Sequence, residues 1–421
     1  MHLLYNLLLY IFLIPILCYL HQGAFQRLGF LPKRVQNIFK GKKIIWVHAA
    51  SVGEVMGISR MVSSLKAELP EYSILISTIT PTGTDIARKL SVMGVIYLPL
   101  DLPSVVKRVL RIINPKILII TETELWPNLI LQAKKRGTRV IIVNGRISEK
   151  SIVRYQRLKG LFKKPLQQVD LFCMQTEMDA MRINSLGAPS EKIMVTGSAK
   201  FDTGVVIPTL EVIKRFQREI EITDTIPIIV AGSIREKEED VILDAYKQIR
   251  QQLPDAVLII APRHLQRIEV IKKALQKRDL SYSLRTRGER GEKSIIILDT
   301  IGELNLAYAI SSVAVVGGTF VPVGGHNIIE PAALSRMVLF GPHISNYQEA
   351  AKLLIACNAA IQVSSASELA ESISYLLKNP DEMLERGLAG KRLVEENQGA
   401  SMRNVEAIKG LLGSAVISTR P

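Results

Sequence analysis

The stretch Val315-Val316-Gly317-Gly318-Thr319-Phe320-Val321-Pro322-Val323-Gly324-Gly325-His326-Asn327-Ile328-Ile329-Glu330-Pro331 sets the reading of the whole chain. An apolar run ends in a glycine pair, a loop with a second glycine pair follows, and a polar cluster then opens a helical pattern. That order predicts a strand, an open loop and a helix N-terminus. Glycines without a Cβ admit a ligand against the backbone, and free N–H groups at a helix start attract anionic oxygen. Helix ends facing a crevice are the usual ligand sites of open α/β sheets. Two ordinary turns, with Asn327 and Glu330 as a capping pair, would give the same pattern without a ligand.

Strand-like and helix-like patterns alternate on either side of this stretch, as in a parallel α/β sheet. In the first half, strands are expected at 44–47, 74–78, 95–98, 117–121, 140–143 and 171–174, with helices at 54–69, 82–90, 103–113, 127–136 and 175–186. The pattern loosens between 195 and 227, and residues 200–225 read as an interdomain linker. A second series follows, with strands at 228–231, 257–261, 294–298 and 313–316, helices at 237–252, 265–277 and 302–310, and a loop rich in Arg and Gly at 285–293. Two doubly wound α/β domains in tandem, 26–205 and 206–421, with a crevice between them, are the simplest account. Amphipathic helices at 366–377 and 380–412 complete the chain, one of them a candidate to fold back across the first domain. No repeat of 20–50 residues is visible.

At 421 residues and 48% apolar composition, the chain is long enough for two domains with their own cores. Cys18, Cys173 and Cys357 are odd in number and far apart, which favours reduced thiols over a disulfide or a zinc site. The net charge of +15 is unevenly divided: residues 1–207 carry 28 Lys+Arg against 13 Asp+Glu, and the remainder carries 26 against 26. The first half therefore faces something anionic. Zinc-finger spacings and aromatic-rich strands of the RRM type are missing from the sequence, so nucleic acid is not the expected partner.

Residues 3–20 are almost wholly apolar, broken by Asn6 and Pro15, and about 18 residues is the lower limit for a helix that spans hydrocarbon. No positive charge precedes the segment, as it would in a cleaved signal peptide, whereas Arg27, Lys33, Arg34, Lys40, Lys42 and Lys43 follow it. This predicts an N-terminal membrane anchor, residues 1–25, with the bulk of the protein cytoplasmic. A shallow, interfacial insertion is the alternative.

His48-Ala49-Ala50-Ser51-Val52-Gly53-Glu54 directly follows the first strand, so Glu54 stands where a strand edge meets its helix. It either projects into the crevice or, as the last residue of a Ser-x-x-Glu capping box, only starts the helix. His48 reads as a hydrogen-bonded wall residue. Thr121-Glu122-Thr123-Glu124-Leu125-Trp126-Pro127-Asn128 ends another strand with two carboxylates beside a tryptophan, which suits a positioned acid or a sugar-hydroxyl acceptor as well as a solvated loop. Thr80-Pro81-Thr82-Gly83-Thr84 is either a source of hydroxyls on the same edge or a capped turn. Arg146 is a candidate to hold an anionic acceptor.

These motifs, with Thr196-Gly197-Ser198-Ala199-Lys200-Phe201-Asp202 and Ala261-Pro262-Arg263-His264, resemble in order and spacing the 3-deoxy-D-manno-octulosonic acid (Kdo) transferases of lipopolysaccharide biosynthesis. The resemblance runs from the anchor to about Tyr347. It implies a GT-B fold, two Rossmann-like domains facing a central cleft. It also implies an inverting glycosyltransferase that moves Kdo from CMP-Kdo to the phosphorylated lipid A precursor at the cytoplasmic face of the cell inner membrane. By resemblance Glu54 is the general base and Glu122 the second acid of the acceptor site. Arg263, Gly317, Gly318, Thr319, Asn327 and Glu330 would hold CMP, with Glu330 on the ribose and Ser198, Lys200 and Ser233 lining the same cleft. Ala231-Gly232-Ser233-Ile234 departs from related versions of its motif.

No metal or cofactor is expected: the chain has no Asp-x-Asp pair for a metal on a pyrophosphate, and the single phosphate of CMP can be stabilised by arginine, lysine and a helix N-terminus. An acceptor with two phosphates in an anionic membrane matches the basic first half. The rival readings are a UDP-sugar-dependent GT-B transferase acting on a membrane lipid, and a non-catalytic membrane-tethered lipid-binding scaffold.

Overall fold

The computed structural model describes residues 1–13, 15, 22–202, 207–223, 226–287 and 294–413. Cys18, the second half of the anchor stretch, parts of the linker at 203–206 and 224–225, and most of the Arg- and Gly-rich loop, 288–293, lie outside them. The chain forms two compact units, Met1–Gly204 with Asn397–Pro421, and Val205–Glu396.

The first unit is built on seven strands: β1 (Lys43–His48), β2 (Tyr72–Thr78), β3 (Gly94–Tyr97), β4 (Ile117–Thr121), β5 (Arg139–Gly145), β6 (Leu171–Met174) and β7 (Ile193–Val195). All pairings are parallel, in the order β3-β2-β1-β4-β5-β6-β7. The central strands are continuous apolar runs because helices cover both faces; every residue of β4 is buried. Alternate side chains enter opposite cores, Ile44 and Trp46 one, Ile45 and Val47 the other.

The second unit repeats the plan with β8 (Ile228–Ile234), β9 (Val257–Pro262), β10 (Tyr282–Leu284), β11 (Ile295–Ile297), β12 (Val313–Val316), β13 (Met337–Phe340) and β14 (Ala360–Gln362). Its parallel order is β10-β11-β9-β8-β12-β13-β14. The order reverses between β1 and β4 in the first sheet and between β8 and β12 in the second, where β10 also lies outside β11 at the edge. The connections leaving those two strands run to opposite sides, and the crevice this opens at their C-terminal ends is where α/β sheets bind ligands.

Four strands escape the sequence pattern. β7, β10 and β14 are three-residue edge strands, too short to show a period, and β13 is a four-residue run between helices. The expected helix 54–69 is two helices, Val52–Gly57 and Ser59–Glu68, joined at Ile58. The Ser59 hydroxyl donates back to the Met56 carbonyl at 2.7 Å, a side-chain competitor for the helix ladder.

A second correction concerns the C-terminus. The helical pattern 380–412 is broken at Gly399, whose φ of +90° is open to glycine at little cost. The helix Pro380–Asn397 closes the second unit. The helix Ala400–Gly413 belongs to the first, where Val405 and Ile408 join the core beside Ile45, Val47 and Ile119. The second domain thus ends near Glu396 and not at residue 421. Buried Asp202 fixes the return: its carboxylate accepts the Gly399 N–H at 2.6 Å and the Ser401 N–H. Asp202→Ala should lower the stability of the first unit by about 2 kcal/mol, the scale of a lost charged cap. It should also speed amide hydrogen exchange across 400–413, and unchanged exchange there would show that Asp202 does not hold the helix.

Candidate active site

At the reversal point of the first sheet, Ser51 caps the helix Val52–Gly57 and its hydroxyl accepts the Glu54 N–H at 3.4 Å. The Glu54 carboxylate reaches back as in a capping box, accepting from Ala50 N–H at 2.9 Å and from the Ser51 hydroxyl at 3.1 Å. It also does what a cap does not require: Oε2 accepts the Thr121 hydroxyl at 2.8 Å, joining the end of β1 to the end of β4. The capping-box expectation for Glu54 therefore holds, with the Thr121 bond in addition. Burial, then the charge of Glu122, raises its pKa above the ordinary carboxylate value, and the donors from Ala50, Thr121 and Ser51 oppose the rise. A carboxylate that is oriented yet more basic than usual is suited to taking a proton.

The loop after β4 supplies two further carboxylates. Glu122 has φ +51°, a conformation rare outside glycine, and its N–H continues the sheet to Val143 O at 2.9 Å. Thr123 anchors the next turn, bonding to the Arg146 backbone at both its N–H and its carbonyl. Glu124, absent from the site residues expected by sequence, is pushed up to about 7 by burial and by the charges of Glu54 and Glu122. The one sequence signal for it is its alternation with Glu122 in Glu-Thr-Glu.

His48 and Thr80 have structural roles. His48 is fully buried, with Nδ1 at 3.1 Å from both the Ser77 carbonyl and its hydroxyl, and burial pushes its pKa down to about 4. Its ring stands edge-on to Trp126, centroids 6.3 Å apart, so it is a neutral wall residue. Thr80 caps the helix Pro81–Lys89 through the Gly83 N–H, and a Cβ on Gly83 would lie 3.3 Å from the Ser51 backbone. Thr80 is thus a capped turn that braces the Glu54 helix. Ser198 and Lys200 lie at the turn Ala199–Asp202 after β7, in the first unit and not among the second-unit donor candidates.

In the second sheet the reversal point brings Ser233, Gly317 and Gly318 together. Ser233 sits in the left-handed region at φ +58°, at the irregularity between β8 and β9. A Cβ on Gly317 would lie 2.6 Å from Ile234 Cα and from Ser233 O, so only glycine permits this approach. Gly318 has φ +70° and faces the His326 ring.

The loop differs from its sequence expectation in three ways. Its N–H groups are not free: fully buried Glu238 accepts from Gly318 N and Arg235 N at 2.7 Å and from Phe320 N at 2.8 Å. Thr319 is also buried, donating to Val316 O at 2.6 Å and accepting from Gly341 N at 2.8 Å, so its side chain supports the loop. The helix that follows is the five-residue Ile329–Ala333, capped at Ile328, with Asn327 Oδ1 accepting the Ile329 N–H at 3.1 Å. So short a helix offers little dipole. Glu238 was hidden in the run Glu236-Lys237-Glu238-Glu239-Asp240, which reads as the ordinary acidic start of a helix.

Side chains supply the positive charge instead. Arg235 Nε donates to His326 Nε2 at 3.1 Å, and His326 is pushed down to about 4 by burial and then by Arg263, Arg235 and His264. Among the described residues neither Arg235 nor Arg263 has a carboxylate partner, whereas neighbouring Arg267 is paired with Glu239. A cavity of about 430 Å3 runs from Ser233 past Arg263 and His264 to Thr300 and Gly302. Half-buried Glu330 has its pKa raised by burial, and its charge is felt by Tyr308 and by Tyr347, the latter also facing Arg263. Among the described residues no cluster of His, Cys, Asp and Glu is placed to hold a metal ion.

Solved structures share the fold. A glycosyltransferase from Rickettsia africae superimposes with a TM-score of 0.59 at 16% identity, covering 89% of this chain and 100% of that one. A UDP-GlcNAc 2-epimerase from Neisseria meningitidis does so with a TM-score of 0.58 at 14% identity, covering 87% and 100%. The class is a tandem doubly wound α/β protein with the GT-B plan.

Sequence comparison goes further. Residues 22–203 match the family model described as 3-Deoxy-D-manno-octulosonic-acid transferase (kdotransferase). The 3-deoxy-D-manno-octulosonic acid transferase of Haemophilus influenzae is 34% identical over 378 residues, 87% of each chain. A bifunctional glycosyltransferase/methyltransferase of Fusobacterium nucleatum is 36% identical over 381 residues, and this chain spans 59% of that protein's length. The chain belongs to the Kdo transferase family and is a glycosyltransferase.

The raised carboxyl of Glu124 carries a stability prediction. Its folded pKa of about 7 exceeds the ordinary 4.5, so the folded state binds the extra proton and stability falls as pH rises from about 4.5 to about 7. Glu124→Gln should remove this fall, making the variant's stability gain over the parent larger at pH 8 than at pH 5 in urea unfolding. An equal difference at both pH values would mean that Glu124 is not held protonated.

Proposed function

We propose that this protein transfers Kdo from CMP-Kdo to a hydroxyl of the phosphorylated lipid A precursor, with inversion, at the cytoplasmic face of the inner membrane. The observation that carries the reading is the Glu54 carboxylate, fixed by Thr121 at the reversal point of the first sheet and made more basic by burial and Glu122. In this mechanism Glu54 removes the proton from the acceptor hydroxyl as its oxygen attacks the anomeric carbon. The bond from that carbon to the CMP phosphate breaks, and CMP leaves with the electron pair. A single displacement of this kind inverts the anomeric centre. Glu122 and Glu124 set the potential around the base and are positioned to accept sugar hydroxyls.

The donor half is assigned to the second unit. Arg235 and Arg263, without a carboxylate partner among the described residues, supply positive charge for the phosphate, Arg235 being oriented by His326 beside the loop that Glu238 braces. Gly317 and Gly318 allow close approach of the nucleotide, Ser233 opens into the cavity, Asn327 shapes the turn, and Glu330 takes the ribose hydroxyls. Thr319 supports the loop rather than touching the ligand. Ser198 and Lys200 are kept as first-unit contributors to sugar binding. The surplus of basic residues in the first half suits an acceptor carrying phosphates in an anionic membrane.

Gln can keep the capping-box hydrogen bonds but cannot take the proton. Glu54→Gln should therefore fold as the parent does and lose at least roughly a hundredfold in kcat with CMP-Kdo and lipid A precursor. A variant that keeps its rate would reduce Glu54 to a helix cap. The UDP-sugar reading is separated by nucleotide protection: CMP should raise the melting temperature and Arg263→Ala should abolish that rise, while stabilisation by UDP and not by CMP would reverse the donor assignment.

A further inference from the structure

The second unit has a further cavity, on the edge of its sheet opposite to the paired glycines. About 360 Å3 in volume, it lies where β8 and β12 begin, between the helices Leu210–Glu219 and Pro380–Asn397. That volume is within the range of small-molecule sites. The place is separate from the donor crevice. Ile228 lines it at the start of β8, whereas Ser233, about 17 Å further along the strand, lines the 430 Å3 cavity. The helix Leu304–Ile310 also joins the two, with Leu304 at the first cavity and Ala309 and Ile310 at this one.

Two kinds of side chain make its wall. Leu210, Ile213, Ile226, Ile310, Met383 and Leu384 are aliphatic, and Leu210 and Leu384 remain 65% and 57% exposed. The rest of the polar wall is rich in donors: Lys214, Ser312, Ser335 and the Arg336 guanidinium. Ser312 accepts the Ile228 N–H at 3.1 Å, which leaves its own hydroxyl proton to donate. Arg336 is held by a demanding turn. Ser335 stands in the left-handed region at φ +60°, and Gly387 lets the helix Pro380–Asn397 close over it, since a Cβ there would lie 2.2 Å from the Ser335 carbonyl oxygen. The Arg336 N–H donates to Pro331 O at 3.0 Å, and Nη2 donates to the Ala309 carbonyl. Its Nε is buried without a partner, and burial disfavours the guanidinium charge. Among the described residues no carboxylate pairs with Arg336 or Lys214, and none lines the cavity. A cation withdrawn from water without a counter-charge is unfavourable, and an incoming anion relieves that cost.

We propose that this cavity binds a small amphipathic anion, a carboxylate or phosphate monoester on an aliphatic chain. Arg336 and Lys214 hold the anionic head, Ser312 and Ser335 add donors beside it, and the aliphatic side chains surround the chain. The described lining holds no aromatic ring on which a base could stack, so it does not suit a nucleotide. It holds no acid, so it does not suit a cation. A bare inorganic anion would leave the aliphatic wall against water. Carboxylate and phosphate both match a guanidinium, and the two head groups are separated by experiment. The site is independent of which donor and acceptor the enzyme uses.

Octanoate, octyl phosphate and, as the cationic counterpart, octyltrimethylammonium are titrated into the full chain by calorimetry below their micelle concentrations, with and without saturating CMP. At least one of the two anions should bind at a single site, and the tighter one identifies the head group. The cation should not bind there, and CMP should leave the affinity unchanged. Arg336→Gln and Lys214→Glu should each weaken binding about tenfold or more, the worth of a charge-assisted contact. Lys214 is exposed, so its variant removes the charge without disturbing the core even if Arg336→Gln folds poorly. Ile213→Trp, which fills the cavity from its half-buried wall, should abolish binding. Displacement by CMP would put the probe in the donor crevice. Equal binding of the cation, or undiminished binding by Lys214→Glu and Ile213→Trp, would put it on apolar surface elsewhere. Either result, or no binding of either anion, overturns the proposal.

Discussion

The structure depends on one topological constraint, the reversal of strand order at the centre of each parallel sheet. Between β1 and β4, and again between β8 and β12, neighbouring strands send their connections to opposite faces, so two strand ends are left uncovered by helix. The chain fills the first gap with the hydrogen bond from Thr121 to Glu54. It fills the second with the close approach of Gly317 to Ser233 and Ile234. The chemically unusual residues of this protein stand at these two places.

The two edges have opposite electrical character. At the first, three carboxylates share a partly buried space, and their mutual repulsion together with desolvation raises the proton affinity of Glu54 and Glu124. At the second, the fully buried Glu238 carboxylate is engaged by three backbone N–H groups, and among the described residues Arg235 and Arg263, beside a neutral histidine, have no carboxylate partner. An edge that gathers protons and an edge that gathers anionic oxygen are the complementary requirements of glycosyl transfer to a hydroxyl from a sugar nucleotide. This division underlies the proposed assignment of acceptor chemistry to the first unit and donor chemistry to the second.

Much of this was legible in the sequence because buried parallel strands are apolar without interruption. Ten of the fourteen strands among the described residues stand out as such runs, β4, β6 and β12 to the residue. The short edge strands did not, since three residues carry no period. At the sites, Glu54 and the glycine pair were marked by their position after a strand. What local pattern could not reveal was partnership across the fold: that Glu238 takes the loop amides 80 residues away, that Thr319 serves Gly341, or that Arg235 meets His326. Nor could local pattern show which side of the N-terminal helix faces the protein: the direction in which Tyr5 and Asn6 point depends on Asp101 and Asn128, about a hundred residues later in the chain.

The most direct test of the account is to incubate the purified protein with CMP-Kdo and the phosphorylated disaccharide lipid A precursor and to weigh the lipid by mass spectrometry. The account predicts that the lipid gains mass in whole Kdo residues while an equal number of CMP molecules is released. An acceptor of unchanged mass with CMP-Kdo still intact, or mass gained only when a UDP-sugar replaces it, would contradict it.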